Sequence, residues 1–277
     1  MNIKPILKWV GGKQELIPEL SKYYNTLSFN KYIEPFMGDG VILLDIINKK
    51  PNTTCLLNNK NKDLINLYRH IKMDPEELYE NCVDLELIFK KYGFYYIRDK
   101  FNGINTEKYK GITRSAALIL LNKTSYNGLY KLNKKGLYST PEGKVYNPTI
   151  VIEENLHNFS KILPNVSNLL SINYNKIPNI EPNDFVYFDP PYDTLTKTTA
   201  TDYCGAFEKK DHIILRDYFK ELDEKGVFVI LSNSSTEYIK TLYSDFTVIE
   251  VDNINPNGVK KNKTQELIII GNHLKNY

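Results

Sequence analysis

Three features of the amino-acid sequence predict an α/β fold, a Rossmann-like sheet carrying a mainly helical insertion. Lys31-Tyr32-Ile33-Glu34-Pro35-Phe36, Met37-Gly38-Asp39-Gly40, the apolar residues 41–47 and Thr54-Cys55-Leu56-Leu57 follow one another as strand, glycine turn, helix and strand. That order opens a βαβ unit. Phe185-Val186-Tyr187-Phe188 and Val227-Phe228-Val229-Ile230-Leu231 are short unbroken apolar runs, the mark of strands buried on both faces of a parallel sheet. Over residues 74–148 the βα rhythm stops, and a stretch that interrupts it reads as an inserted domain. The expected division is therefore residues 1–70 with 149–277 as the sheet domain, and 71–148 as the insert.

Within the insert, residues 75–92 and 114–122 have the spacing of amphipathic helices. The turn-rich, basic stretch Tyr126-Asn127-Gly128-Leu129-Tyr130-Lys131-Leu132-Asn133-Lys134-Lys135-Gly136 follows. After the strand at 185–188 come an expected helix at 211–224, the strand 227–231, a helix at 236–243 and a strand at 246–251. Gln265-Glu266-Leu267-Ile268-Ile269-Ile270 closes the chain as a strand expected to lie beside 246–251.

The 277 residues suffice for one large domain plus an insertion. Composition is globular, 42% hydrophobic and 25% charged, and a net charge of +3 permits a nucleic-acid partner without demanding one. Cys55, Cys82 and Cys204 are distant and odd in number, which fits reduced thiols and no disulfide framework. His70, His157, His212 and His273 are isolated, so no metal is expected. The N-terminus lacks the apolar core of a signal peptide, and no stretch approaches the ~20 apolar residues of a membrane span. A soluble, cytoplasmic protein is expected.

Asp189-Pro190-Pro191-Tyr192 stands where an apolar strand ends, and carboxyl ends of strands in open α/β sheets are where ligands bind. Prolines also simply stop strands. Gly38 and Gly40 let backbone approach a ligand beside the free N–H groups of the next helix, although a glycine pair also makes a plain turn. Asn58-Asn59 falls at the end of the second strand, about 20 residues beyond the glycines, where nucleotide-binding sheets carry an acid for ribose hydroxyls. Lys8-Trp9-Val10-Gly11-Gly12-Lys13 sets an aromatic face and two cations around a flexible turn. Such a turn can enclose a base and a carboxylate, or be an ordinary surface loop.

Taken together and in order, five stretches resemble the Dam-like DNA adenine methylase family, N6-adenine methyltransferases that use S-adenosylmethionine. They are Lys8-Trp9 with Gly11-Gly12-Lys13; Glu34-Pro35-Phe36-Met37-Gly38-Asp39-Gly40; Asn61-Lys62-Asp63-Leu64-Ile65-Asn66; Tyr126-Asn127-Gly128-Leu129-Tyr130; and Asp189-Pro190-Pro191-Tyr192. The resemblance spans nearly the whole chain, in the alpha-type order of cofactor motifs, target-recognition insert and catalytic motif. It implies Asp189, Pro190, Pro191 and Tyr192 as the catalytic set. The Asp189 carboxylate and the Pro190 carbonyl would accept from the adenine amino group, with the prolines fixing φ and holding that carbonyl in place. Tyr192 would stack on a base that must first leave the duplex. Transfer would be direct, without metal or covalent enzyme intermediate. The implied cofactor residues are Trp9, Lys13, Glu34, Phe36, Gly38, Gly40, Asn59, Asn173 and Asp189.

For DNA, the resemblance implies Tyr126 as a wedge, Asn127 facing the orphaned partner base, and Leu129 and Pro141 touching bases. Lys123, Lys131, Lys134, Lys135 and Lys144 would neutralise phosphates, although a lysine run by itself also reads as a solvated face. Lys260, Lys261 and Lys263 form a second cluster. Double-stranded DNA is the implied partner, with a cognate restriction endonuclease as the protein partner such a family admits, in a monomer or weak dimer. Three positions depart from the family pattern. Asn59 and Asn173 stand where acids meet the cofactor, and an amide accepts more weakly by on the order of 1 kcal/mol, so weakened cofactor binding is expected. Lys131 replaces an arginine of GATC-methylating relatives, losing a bidentate guanine contact, so GATC is a target by analogy alone. Two other readings stay open. One is a weak or inactive DNA-binding relative, favoured by the asparagines and opposed by the intact Asp189–Tyr192 motif; the other is an RNA N6-adenine methyltransferase.

Overall fold

The computed structural model of the protein describes residues 3–9, 13–144, 148–193, 207–252 and 265–276. Gly11, Gly12, Cys204, Lys260, Lys261 and Lys263 lie outside the described residues. In chain order the regular elements begin with α1 (Ile17–Tyr24), β1 (Lys31–Glu34), α2 (Val41–Lys49), β2 (Thr54–Asn58) and α3 (Lys62–Met73). A helical stretch follows, α4 (Pro75–Asn102), α5 (Gly111–Thr124) and α6 (Glu153–Ile162), then β3 (Val166–Leu170) and β4 (Phe185–Phe188). The chain finishes with α7 (Lys209–Glu224), β5 (Phe228–Ser234), α8 (Glu237–Leu242), β6 (Thr247–Asp252) and β7 (Gln265–Ile270).

The seven strands form one sheet in the order β3-β2-β1-β4-β5-β7-β6. Pairing is parallel from β3 through β5, and β7 runs antiparallel between β5 and β6. The expected neighbour relation of the last two strands therefore holds, with β7 also closing onto β5. From β1 the chain winds outward through β2 to β3, then returns to place β4 on the other side of β1. This is a topological switch point, where a crevice opens at the carboxyl ends of the strands.

Strand alternation divides the core into two layers. Phe185 and Tyr187 face a cluster with Tyr32, Phe228 and Ile230, while Val186 and Phe188 face a second with Ile33, Val229, Leu231 and the α7 residues Leu215 and Phe219. Both faces are covered, which is why β4 and residues 228–231 of β5 read as unbroken apolar runs. Phe94, Ile97 and Phe101 of α4 and the α5 residues Ala116, Leu118 and Leu120 belong to the first cluster. The Arg114 guanidinium makes two 2.7 Å bonds to the Asp63 carboxylate, fastening α5 to the start of α3. The helix expected at residues 75–92 continues to Asn102, because Gly93 takes φ 80° and ψ 176° and the chain resumes helix after that break. Among the described residues no helix is long and apolar enough to cross a membrane.

Candidate active site

At the carboxyl end of β4, side chains two apart share a face, so Tyr187 and Asp189 lie on the same face of the sheet, beside the neighbouring β5. Ser232 stands across from them. Its hydroxyl lies 3.0 Å from Asp189 Oδ1 and 2.9 Å from the Tyr187 hydroxyl. Lys13 Nζ reaches the same Oδ1 at 3.1 Å, although the lysine is only 5% exposed. The same ammonium sits 4.6 Å from the centroid of the Tyr192 ring. Burial pushes the Asp189 carboxyl above its ordinary value, while Lys13 and the Ser232 hydrogen bond oppose that shift. The rest of the turn is fastened to the antiparallel side of the sheet. Tyr192 donates to Glu266 Oε2 at 2.7 Å, the Asp193 N–H donates to Asn233 Oδ1 at 3.1 Å, and Thr236 donates to the Asp193 carboxylate at 2.7 Å.

Beside it, β1 ends in Glu34. Its carboxylate accepts from the Tyr32 hydroxyl at 2.8 Å and is 4% exposed. Burial raises its pKa to about 8; the Tyr32 bond works against this, and the charges of Asp189 and Asp39 add to it. Asp39 caps the backbone N–H of Val41 at 3.2 Å, and burial raises it to about 6. Gly40, at φ 76°, precedes α2 in a left-handed conformation that favours glycine. A Cβ on Gly38 would come within 2.6 Å of Trp9 Cδ1, so the indole lies directly on that backbone. The Phe36 ring packs on Tyr174 at 5.0 Å and meets Phe207 edge-on at 6.2 Å.

The two asparagines at the end of β2 hold the crevice in shape. Asn58 donates to the carbonyls of Pro35 and Ile172 and accepts from the Ile172 N–H, joining the end of β1 to the chain beyond β3. Asn59 donates to the Met37 carbonyl at 2.7 Å and accepts from the Asn61 N–H at 2.7 Å. No carboxylate could make the first of these bonds. Asn173 is exposed just beyond β3.

A second cluster forms after α5. Tyr126 is 54% exposed, and Asn127 and Gly128 take φ 52° and 66° in succession, which bends the chain into a tight turn. The Tyr126 N–H donates to the Pro141 carbonyl at 2.9 Å and the Gly143 N–H to the Thr124 carbonyl at 2.8 Å, so the turn and Pro141 stand side by side with Lys144 next in the chain. Leu129 is half-buried, and its carbonyl accepts from the Tyr138 and Thr140 hydroxyls. The Lys131 carbonyl accepts from the Ser139 N–H at 2.8 Å. Burial and the nearby Lys8 lower the Lys123 pKa. Asn122, 1% exposed, accepts from the Lys8 N–H and donates to the carbonyls of Lys8 and Gly128, each at 2.8 Å. It stitches the N-terminal segment to the turn.

Comparison with known proteins identifies the arrangement. The model of the family described as D12 class N6 adenine-specific DNA methyltransferase matches residues 9–255. The chain belongs to this family. Among relatives of this D12-class methyltransferase, the type II methyltransferase M1.LlaDCHI of Lactococcus lactis subsp. cremoris is 35% identical, covering 97% of this chain and 95% of its own. The type II methyltransferase M.MjaIII of Methanocaldococcus jannaschii is 37% identical over 91% of each chain. A DNA adenine methylase of Vibrio cholerae is 28% identical over 96% of this chain and 95% of its own. The protein is an adenine-specific DNA methyltransferase.

In this methyltransferase, Lys13, Asp189 and Tyr192 come together at one end of the sheet, near Glu34, and Trp9 with Gly38 forms the adjoining wall. Tyr126, Asn127 and Pro141 gather at the separate turn, where Trp9 stacks on Tyr130 at 6.2 Å. Reading the sequence left out Ser232, Glu266 and Asn122. A polar Ser-Asn-Ser end on an otherwise apolar strand at 232–234 was the available signal for the first. Nothing local marks the other two.

Proposed function

We propose that the protein transfers the methyl group of S-adenosylmethionine to N6 of an adenine turned out of double-stranded DNA. The observation that carries this reading is the braced Asp189 at the end of β4, followed by two prolines and Tyr192, next to the glycine turn that ends β1. The cofactor suits that crevice. The carboxyl groups of Glu34, Asp39 and Asp189 gather there, the charge of Asp189 raising both of the others, and Trp9, seated directly on the Gly38 backbone, supplies an aromatic wall. Trp9, Phe36, Gly38, Gly40 and Asn59 would line it, with Asn173 at its rim. When bound, S-adenosylmethionine supplies an electrophilic methyl, whose bond to sulfur breaks as the N6–carbon bond forms, leaving a neutral thioether and one proton to be shed from N6.

The amine's lone pair is delocalised into the ring, and acceptors that pull its N–H groups out of plane free that pair for attack. Asp189 Oδ2 and the Pro190 carbonyl are those acceptors, preorganised for charge that develops at nitrogen. Oδ2 also takes the departing proton. Tyr192 supports the base on its ring. Residues 71–148 serve as the target-recognition region, where Tyr126 fills the gap left by the base, Asn127 meets the orphaned partner, and Leu129 and Pro141 touch neighbouring bases. Lys123, Lys131 and Lys144 lie along the phosphates, and a lysine at 131 presents a point charge where an arginine would offer a fork. GATC is the first sequence to try, and a cognate endonuclease is the partner to seek. The test incubates the purified protein with labelled S-adenosylmethionine and duplex DNA of defined sequence, then maps N6-methyladenine. Label at one adenine context in duplex DNA is expected; label in RNA alone, or none in any nucleic acid, overturns the reading.

A further inference from the structure

Asp189 has two carboxylate oxygens, and the contacts described for it converge on one. The Ser232 hydroxyl and the Lys13 ammonium both contact Oδ1, while no described residue donates to Oδ2. Ser232 donates its one proton to Oδ1 and therefore accepts from the Tyr187 hydroxyl. This fixes a one-way chain, Tyr187 to Ser232 to Asp189, whose first two members are almost wholly buried. The register makes it possible: Phe188 pairs with Leu231, which sets Ser232 opposite Asp189. Lysine is a point charge on a flexible stem and does not choose between two oxygens of one carboxylate. A buried hydroxyl with a defined direction does. A carboxylate free to turn about its last torsion is a nearly two-fold rotor, and each turn would exchange the bound oxygen for the free one.

We propose that Ser232 is the positioning residue of the reaction, holding Oδ1 so that Oδ2 is the oxygen presented to the adenine amine. The proposal rests on the role given to Asp189 above. Other charged and titratable groups also face Asp189: Lys13 from the turn at 13–16, Glu34 at the end of β1 and Asp39 just after it, Glu266 from β7, and Tyr187 and Tyr192 from its own strand and turn. They are the same in every variant considered next, save where named.

The test is single-turnover methyl transfer to a defined duplex as a function of pH, with wild type, Ser232→Ala, Ser232→Thr and Tyr187→Phe. Ser232→Ala should lower the transfer rate about 10- to 100-fold while KM for DNA and cofactor stays within about threefold. The acid limb of its profile should move to higher pH, because Asp189 has lost a donor that favours its charged form. Ser232→Thr keeps the hydroxyl and should restore both rate and limb. Tyr187→Phe, which removes only the first donor, should move the limb the same way by less. An unchanged rate and limb in Ser232→Ala overturns the proposal, as does equal impairment of the alanine and threonine variants with the limb unmoved. Should Ser232→Ala fail to fold, an unmoved limb in Tyr187→Phe overturns it alone. Asp189→Ala separates the two levels: wild-type transfer in that variant would remove the role of Asp189 itself, whereas its loss beside an unaffected Ser232→Ala would remove only the role of Ser232.

Discussion

Two neighbouring strands of this sheet end in the same way and do different things. β1 finishes as Tyr32-Ile33-Glu34-Pro35 and β4 as Tyr187-Phe188-Asp189-Pro190. In each, a buried tyrosine two residues back directs its hydroxyl toward the acid, straight onto Glu34 at 2.8 Å and through Ser232 onto Asp189. The difference is the second partner. Asp189 has an ammonium at 3.1 Å; Glu34 feels Lys13 only as a minor influence, and burial carries it to about 8. Burial raises both acids, but at Asp189 the ammonium and the Ser232 hydrogen bond oppose the rise, whereas Glu34 is carried to about 8. Two acids of like sequence context are separated by one lysine and one serine, which favour the charged, accepting form of Asp189.

Removing the lysine-paired member tests the comparison most harshly. Asp189→Ala should cut methyl transfer on the order of 10³-fold with DNA affinity retained in a filter or anisotropy titration. Transfer within about tenfold of wild type would break the assignment.

Glu34→Gln addresses the other strand end through stability. Because its pKa is raised from 4.5 to about 8, the folded protein holds a proton that the unfolded chain has released across that interval. Its stabilising effect is full below the lower value and is lost as pH rises toward the upper one. Wild type should therefore lose stability between those values, and Glu34→Gln should lose less, ending at pH 9 the more stable of the two. Denaturant titrations of both proteins at pH 5 and pH 9 measure this, and parallel slopes would show Glu34 charged throughout.

Tyr126 lies on neither strand end and should affect base extrusion alone. Stacking of an aromatic on a base is worth about 1–3 kcal/mol, so Tyr126→Ala should lower the signal of a fluorescent adenine analogue at the target by a corresponding shift in equilibrium. Cofactor affinity should not change. A loss of cofactor binding without loss of extrusion would place this turn in the wrong half of the reaction.

The smallest effect is expected at Asn59. A carboxylate there cannot donate to the Met37 carbonyl, which it would instead repel, so Asn59→Asp should weaken cofactor binding by about 1 kcal/mol in a calorimetric titration. Tighter binding would mean that the acid serves the cofactor directly and that the bond to Met37 is dispensable.

How much of this was legible in the sequence follows from where each residue's partners lie. Strand β4 and residues 228–231 of β5 were plain because both faces are buried and every position there is apolar. Strand β3, Val-Ser-Asn-Leu-Leu at the sheet edge, escaped notice because Ser167 and Asn168 face solvent and the run resembles a polar loop. Gly93 looked like the end of a helix and is a break within one. Asp189 and its prolines are contiguous, so they stood out as a motif. Ser232 and Glu266 act on that motif from 43 and 74 residues away, through strand order alone, and no local pattern carries that information. Asn59 was visible as a missing acid, but the carbonyl that gives its amide a purpose lies 22 residues earlier.

The proton affinities of Glu34 and Asp189 can be measured directly by following the side-chain carboxyl carbons of the two residues, ¹³C-labelled and assigned through Glu34→Gln and Asp189→Asn, through a pH titration of the folded protein. The account predicts a midpoint near 8 for Glu34 and a lower one for Asp189, whose upward shift Lys13 and Ser232 oppose. Coincident midpoints, or an Asp189 that titrates above Glu34, would contradict it.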